Sequence, residues 1–389
     1  TIKGGVLMQI YLDNSATTKP YKEVVEKMIF ALENDYANPS SLHKKGLEVE
    51  KNIKKIREDI ARTLGVKEKE IYFTSGGTES NNSIIRGVLD KRKNHIITTK
   101  IEHPSVLDTI KTLEKEGIEV TYLDVDSEGK IDIDSLKSSI KENTILVSVM
   151  HVNNEVGSIQ PINEVGKYLK TLKEKVYFHV DAVQSFGKIN FKPSKYNIDF
   201  MSVSGHKIHG PKGIGFMYIK ESSKVKPLFT GGGQEFGFRS GTENIPGIYG
   251  LGEAIRITNE NLDKNIQKID SLKNLLKSEI LNNIENVKIN SPEDGVCHIL
   301  NVSFLGVKGE VLLHYLEQKD IYVSTGSACS SKKKGSHVLN AMNLSKDEIE
   351  GTIRFSLSCF NTEEEILETI KVLKSSVEDL RFIIKKGRK

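Results

Sequence analysis

The chain has 389 residues, 28% of them charged, and a formal net charge of +4. That length is about 2.6 times a typical domain; it excludes peptide hormones and disulfide-stapled mini-proteins, and the mild basicity is too dilute to signal a nucleic-acid partner. Three cysteines cannot all pair within one chain and form no Cys-x-x-Cys, so neither a disulfide framework nor a zinc ribbon is supported and a reducing cytoplasm fits best.

No apolar run approaches the roughly 20 residues of a membrane span. The run 6–12 is interrupted by Gln9 and stopped by Asp13, unlike a signal peptide. Met8 reads as the natural start, with 1–7 either an added, non-native leader or an upstream extension, set aside in reading the fold. From Ile71 onward, β-rich runs alternate with amphipathic stretches, the pattern of a mostly parallel sheet covered by helices. Predicted strands cover 71–74, 95–99, 119–123, 144–150, 176–181, 200–204 and 215–219; predicted helices cover 78–92, 104–116, 133–140 and 162–173. This is a doubly wound α/β core, in which ligands bind beyond the carboxyl ends of the strands. A long helix over 247–280 then leads into a smaller α+β region with strands at 299–302 and 352–357. Its last helix opens with a capping box, Thr362 to Glu365. Ile366, Ile370, Leu373, Val377 and Leu380 follow on one stripe, and the basic end 385–389 reads as a solvated frayed terminus.

The strand ends are therefore the positions to read for chemistry. Thr74-Ser75-Gly76-Gly77-Thr78 is a strand, a glycine turn and a helix start, where free amides and the Thr78 hydroxyl suit a phosphate; it lacks the ending of a Walker A loop. His103, before Pro104, can stack on a flat ring, move protons or simply open a helix. Asn153 and Asn154 follow another strand, in a loop where asparagines also serve as turn formers. Asp181 and Lys207 end successive strands 26 residues apart, about one crossover unit, and can face one crevice. An acid and an amine so placed suit pyridoxal phosphate, with the lysine anchoring the aldehyde and the acid keeping the ring nitrogen protonated. Taken singly, Asp181 can cap a helix and Lys207 can face solvent; together with a phosphate cup they are hard to explain by chance. His206 and His209 have His-x-x-His spacing, but no Glu follows the first and no further ligands lie nearby, so a metal is not expected. The glycine-rich stretch 231–244 offers Thr242 as another phosphate donor, or is a flexible connection. Cys329 lies among Ser, Gly and Ala and precedes Lys332, Lys333 and Lys334, whose charge favours the reactive thiolate; otherwise the loop is an ordinary solvated one. Cys297 and Cys359 read as structural.

Together these motifs resemble the class I cysteine desulfurases of nitrogen fixation and iron–sulfur-cluster assembly, within the class V aminotransferases. The segments that carry the resemblance are Asp-Ala-Val-Gln from Asp181, Ser-Gly-His-Lys from Ser204, Arg-Ser-Gly-Thr-Glu-Asn from Arg239 and Ser-Ala-Cys-Ser from Ser327, in the family's order over nearly the whole chain. The resemblance implies a fold type I enzyme with a seven-stranded, mostly parallel sheet in a large domain, 19–264, and a small α+β domain, 8–18 and 265–389, carrying the Cys329 loop. It implies pyridoxal 5'-phosphate held on Lys207, which would then act as the base that moves the substrate α-proton, with Asp181 paired to the ring nitrogen, Gln184 to the ring hydroxyl, and His103 stacked on the ring and assisting proton transfer. Gly77, Thr78, Ser204 and His206 would hold the phosphate, and Thr242 would reach in from the second subunit of a homodimer. Asn154 and Arg354 would orient the substrate, the guanidinium fork matching its carboxylate. The implied reaction turns L-cysteine into L-alanine, with the sulfur captured as a persulfide on Cys329 and passed to an iron–sulfur scaffold, a transfer-RNA thiolation enzyme or another carrier. Two alternatives stay open: a selenocysteine lyase or related enzyme that need not use Cys329, and a cofactor-binding scaffold without turnover. The stretch after Cys329 is shorter and more basic than is typical of class I, which bears on its reach and its acceptor.

Overall fold

A computed structural model describes residues 2–3, 6–7, 9–90, 93–325 and 335–387. The chain opens with a short antiparallel pair, β1 (Ile2–Lys3) and β2 (Val6–Leu7), then β3 (Ile10–Tyr11), α1 (Lys22–Asn34) and α2 (Lys44–Leu64). The large layer alternates β4 (Ile71–Thr74), α3 (Gly77–Gly87), β5 (His95–Thr99), α4 (Pro104–Lys115), β6 (Glu119–Leu123), α5 (Ile133–Ser139), β7 (Thr144–Met150), α6 (Ile162–Leu169), β8 (Tyr177–Asp181), β9 (Phe200–Ser204) and β10 (Gly215–Ile219). Then come α7 (Ile245–Glu260), α8 (Leu262–Asn283), β11 (Val287–Ile289), β12 (Ile299–Phe304), α9 (Gly309–Glu317), β13 (Ile321–Tyr322), α10 (His337–Ala341), α11 (Lys346–Glu350), β14 (Thr352–Ser356) and α12 (Glu363–Gly387).

Seven strands form one sheet in the order β4-β10-β9-β8-β7-β5-β6. Only β10 runs against its neighbours, pairing antiparallel with both β4 and β9. Two reversals cancel, so β4 points the same way as β9, and the glycine turn after Thr74 lies at the same sheet edge as Ser204 and Lys207. Gly215 faces both Thr74 and Ser204 in the register. A Cβ there would meet the Val203 carbonyl oxygen at 2.4 Å and Gly76 Cα at 2.8 Å, so the close approach of the two strand ends requires glycine at this position.

Helices cover the sheet through a core containing Val147, Phe178, Val180, Val203 and Phe216. A second core gathers Leu276 and Ile280 of α8, Val302 and Phe304 of β12, Ile353 and Phe355 of β14, and Ile366, Leu373 and Val377 of α12. Ile10 and Leu12 belong to this second core, because β3 pairs in parallel with β13. The α12 capping box forms as expected: the Thr362 amide donates to Glu365 Oε2 and the Glu365 amide to Thr362 Oγ1, each at 3.2 Å.

Three helix expectations are corrected. The single helix over 247–280 is two, broken at Asn261, whose backbone leaves the helical region (φ −113°, ψ 9°) and whose amide donates to the Ile257 carbonyl at 2.9 Å. Asparagine competes with the helix for backbone partners, and here it ends α7. The helix over 78–92 stops at Gly87, where a Cβ would meet Val225 Cγ1 at 2.4 Å and the chain packs close. The one over 162–173 ends at Leu169. Helices α1 and α2, which pack against α7, lie outside the sequence-predicted elements altogether. In α2, His43 accepts the Gly46 amide at the start and Gly65 closes the end in the left-handed region, φ 68°.

Gly215→Ala is expected to lower folding stability by about 1–3 kcal/mol through overpacking of the Gly76 turn. Urea denaturation checks this; an unchanged midpoint would show that the turn can move aside.

Candidate active site

The predicted strand ends at 74, 99, 150, 181 and 204 deliver their residues to one cavity of about 300 Å³, lined among others by Ser15, Gly77, Thr78, His103, Asn154, Asp181, Gln184, Ser204, His206, Lys207 and Arg354. Parallel strands all present their carboxyl ends at one edge, and the loops that follow them enclose the crevice. Ten of the twelve sequence-predicted site residues therefore meet there. Thr242 does not line this cavity; it sits exposed on the 231–244 loop. Cys329 lies outside the described residues.

Asp181 is 5% exposed and holds its two oxygens on separate donors: Asn81 Nδ2 reaches Oδ2 at 2.8 Å and the Val183 amide reaches Oδ1 at 3.0 Å. The carboxylate keeps lone pairs for a further donor in the cavity. His103 caps α4, its Nδ1 accepting the Ser105 amide at 3.1 Å. A backbone amide can only donate, so the neutral ring carries its hydrogen on Nε2. Burial pushes the His103 pKa down, with Lys207 and His337 adding to that and Asp181 opposing it. His206 is pushed down to about 4, chiefly by burial and then by Lys207; its Nδ1 contacts Thr17 Oγ1 at 3.1 Å. His209, its partner in the His-x-x-His spacing, instead engages the Lys19 carbonyl at 2.8 Å.

Lys207 Nζ donates to the carbonyls of Ser15 and of Ala16, the latter at 2.7 Å. Gln184 Nε2 donates to the same Ser15 oxygen at 2.9 Å. Arg354 comes from β14, where Nη1 donates to the Asn154 carbonyl at 3.0 Å and Nη2 to Asp13 Oδ1 at 2.6 Å, while Nε is buried without a partner. The start of α3 has no side-chain cap, so the amides after Gly76 face the cavity as an anion cup. A Cβ on Gly77 would strike Val183 Cγ2 at 2.7 Å. Behind the cup, Glu79 accepts the Ser75 amide and the Arg239 guanidinium, both at 2.8 Å. Burial raises its pKa, but these donors outweigh burial and the net direction is down.

Among the lining residues not expected from the sequence are the polar side chains of Ser15, Asn81, Glu155 and His337. Only Asn81 carried a signal, standing one helical turn after Gly77-Thr78 and so on the same face of α3. The others arrive from segments whose local pattern says nothing of the crevice. Among the described residues no cluster of three or more His, Cys, Asp or Glu could hold a metal ion, and no helix is long and apolar enough to cross a membrane.

Residues 10–368 match the family Aminotransferase class-V. A cysteine desulfurase IscS of Dictyoglomus turgidum is 44% identical over 380 residues, covering 96% of each chain. The chain belongs to the class V aminotransferases, in their cysteine desulfurase branch. A cysteine desulfurase of Nostoc sp. is likewise 44% identical over 378 residues, covering 96% of this chain and 94% of the relative. Among solved structures, a NifS-like protein matches with a TM-score of 0.91 at 41% identity, covering 96% of this chain and all of its own, and SspA in complex with cysteine matches with 0.81 at 37%, covering 91% and 100%. The fold is thus that of the fold type I enzymes.

Enzymes of this branch work with pyridoxal phosphate, and the cavity fits it. An anion cup, a buried carboxylate with spare lone pairs and an amine stand in one crevice, and Asn81 Oδ1, Ser15 Oγ and Arg354 Nε are buried there without partners.

One carboxyl below the site is unusual. Glu102 is fully buried, with Oε1 accepting the Met150 amide at 2.8 Å and the Thr99 hydroxyl at 2.9 Å, and Oε2 without a partner. Burial raises its pKa from 4.5 to about 8, Asp181 adding to that against the two donors. A raised carboxyl binds its proton more tightly in the folded state, so stability is fully present below about 4.5 and is lost as pH rises to about 8. Glu102→Gln is expected to remove this slope, about 1.4 kcal/mol per pH unit in that window. Urea titrations at several pH values read it directly, and parallel curves for the two proteins would exclude Glu102 as its source.

Proposed function

We propose that this protein is a pyridoxal-phosphate-dependent cysteine desulfurase, converting L-cysteine to L-alanine and capturing the sulfur on Cys329. The observation that carries this reading is the meeting of Lys207, Asp181 and Arg354 in one cavity: an amine for an aldehyde, an acid for a ring nitrogen, and a guanidinium for a carboxylate. The bound cofactor withdraws electrons from the substrate's α-carbon. Lys207 anchors it and then moves the α-proton; Asp181 keeps the ring nitrogen protonated; Gln184 donates to the ring hydroxyl; His103 covers the ring face with its Nε2–H available. Gly77, Thr78, Ser204 and His206 hold the phosphate, and Asn154 and Arg354 orient the substrate. The Cys329 thiolate forms the new S–S bond as the substrate's C–S bond breaks.

Working units of 19–264 for the cofactor, and of 8–18 with 265–389 for the sulfur-accepting loop, are supported by the two cores, although Val338, Leu339 and Met342 of the second unit pack into the first core. A homodimer sharing its sites is supported by Thr242, exposed outside its own cavity, and by exposed Val25, Ile29, Phe30 and Leu32 on α1. Stable monomers rarely leave such an apolar face uncovered, and a second copy covers it while receiving Thr242. Cys297 and Cys359 are unpaired thiols, which suits a reducing cytoplasm. The sulfur leaves to an acceptor protein of iron–sulfur assembly or transfer-RNA thiolation.

Lys207→Ala is expected to abolish the visible cofactor band and alanine formation. Cys329→Ser keeps the band and loses alanine release from cysteine by about 100-fold or more, and mass spectrometry of the parent locates one added sulfur on Cys329. Parental desulfuration by Cys329→Ser would leave a selenocysteine-lyase-like enzyme instead; a parent that makes no alanine would leave only a scaffold.

A further inference from the structure

His337 belongs to none of the roles above, yet it lines the same cavity as His103, Lys207 and Arg354. It is the first residue of α10, and Ser336 before it accepts the Leu339 amide at 3.1 Å and donates to buried Glu155. The ring's Nε2 lies 3.0 Å from the Glu102 carbonyl oxygen. A carbonyl only accepts, so Nε2 carries hydrogen whether the ring is neutral or charged, and the neutral ring has its lone pair on Nδ1. Among the described residues Nδ1 has no partner.

His103, one peptide unit from that carbonyl, is fixed in the opposite sense, with its lone pair on Nδ1 used by the Ser105 amide. The crevice thus presents one imidazole as an N–H donor and the other as a lone-pair acceptor. Of a bound cysteine's three polar groups, Arg354 accounts for the carboxylate and Lys207 lies where the amine is handled, which leaves the thiol. Among the described residues, the titratable or charged groups around His337 are His103, Glu102, Glu155, Asp181, Lys207 and Arg354. Glu102 and Glu155 are buried with their pKa values raised by burial, and Glu155 is already bonded to Ser336. Asp181 is held by Asn81 and Val183.

We propose that His337 is a second acid–base residue of the site, accepting at Nδ1 the proton of the substrate thiol as its sulfur is transferred. The S–H bond breaks with its electron pair left on sulfur, an N–H bond forms at Nδ1, and the imidazolium returns the proton to solvent. The inference rests on the desulfurase reading and adds a residue to it.

The test compares alanine release from L-cysteine and from L-selenocysteine in a single turnover, because a selenol is ionised at neutral pH and needs no base. In His337→Gln the side-chain amide keeps a donor for the Glu102 carbonyl but supplies no basic nitrogen. Cysteine turnover is expected to fall about 100-fold while selenocysteine turnover stays within about twofold, with the cofactor absorbance unchanged. His337→Asn, also without a base, gives the same split if the first variant does not fold. An unchanged cysteine rate, or an equal fall on both substrates, overturns the proposal. A parent inactive on cysteine would sink the desulfurase reading instead.

Discussion

The site depends on a strap of chain, residues 13–18, that ties the two cores together through hydrogen bonds of its backbone and side chains. On one side the Asn14 side chain donates to the Ser356 carbonyl at 2.9 Å and the Ser15 amide to Ser356 Oγ at 2.8 Å. On the other, the carbonyls of Ser15 and Ala16 receive Lys207, and the Thr18 amide and hydroxyl both reach the His206 carbonyl at 2.9 Å. Each of these buried groups would cost about 1–3 kcal/mol if left unpaired, so the strap cannot drift without releasing Lys207 and unseating β14. Register between the cores, and hence the distance from Lys207 to Arg354, is set by this segment. The amine that the chemistry needs is meanwhile held by the Ser15 and Ala16 carbonyls of the same strap whose Asp13 carboxylate locates Arg354.

Burial governs the charges around that strap. His151 and His179 are pushed down to about 3 and His206 to about 4, so these rings act near neutral pH as uncharged donors and acceptors. Behind Lys207, burial and then the Lys207 charge pull the Lys188 amine down to about 7. Lys188 Nζ lies 3.3 Å from Gln184 Oε1, and Gln184 Nε2 lies 2.9 Å from the Ser15 carbonyl. A donor on one side and an acceptor on the other leave the amide a single orientation, which turns its N–H group to the cavity. Lys188 therefore acts on the site through Gln184 without lining the main cavity itself.

The strand ends were legible because their chemistry is local. A glycine turn before a helix, an acid and an amine one crossover apart, and a histidine before a helix-opening proline each announce a position at the carboxyl edge of a parallel sheet, and Gly77, His103, Asp181 and Lys207 meet there. Partners brought by long-range packing were not. Ser15 reaches Lys207 across 192 residues and Ser336 reaches Glu155 across 181, and no periodicity records such pairs. The break at Asn261 was missed for a different reason: α7 and α8 continue the same apolar spacing, and one side-chain amide bonded to Ile257 divides them. Helix α2 has the apolar stripe of Val49, Ile53, Ile60 and Leu64, but buried Arg57 interrupts it, neutralised by Glu235 at 2.6 Å from a loop far along the chain.

In the proposed role of Arg354, the free structure is already prepared for a carboxylate. Asp13 and the Asn154 carbonyl hold the two Nη atoms at 2.6 Å and 3.0 Å, fixing the plane of the guanidinium, while Nε stays buried and unpartnered. A buried donor without an acceptor is a desolvation cost already met in folding. A carboxylate that reaches it gains a charge-assisted bond without stripping water from the arginine, and it enters a fork whose orientation was set beforehand. An amine ligand with no carboxylate would leave that cost unrelieved. Under the proposed function, a preference for an amino acid would come from the same strap that positions Lys207, because Asp13 is its first residue.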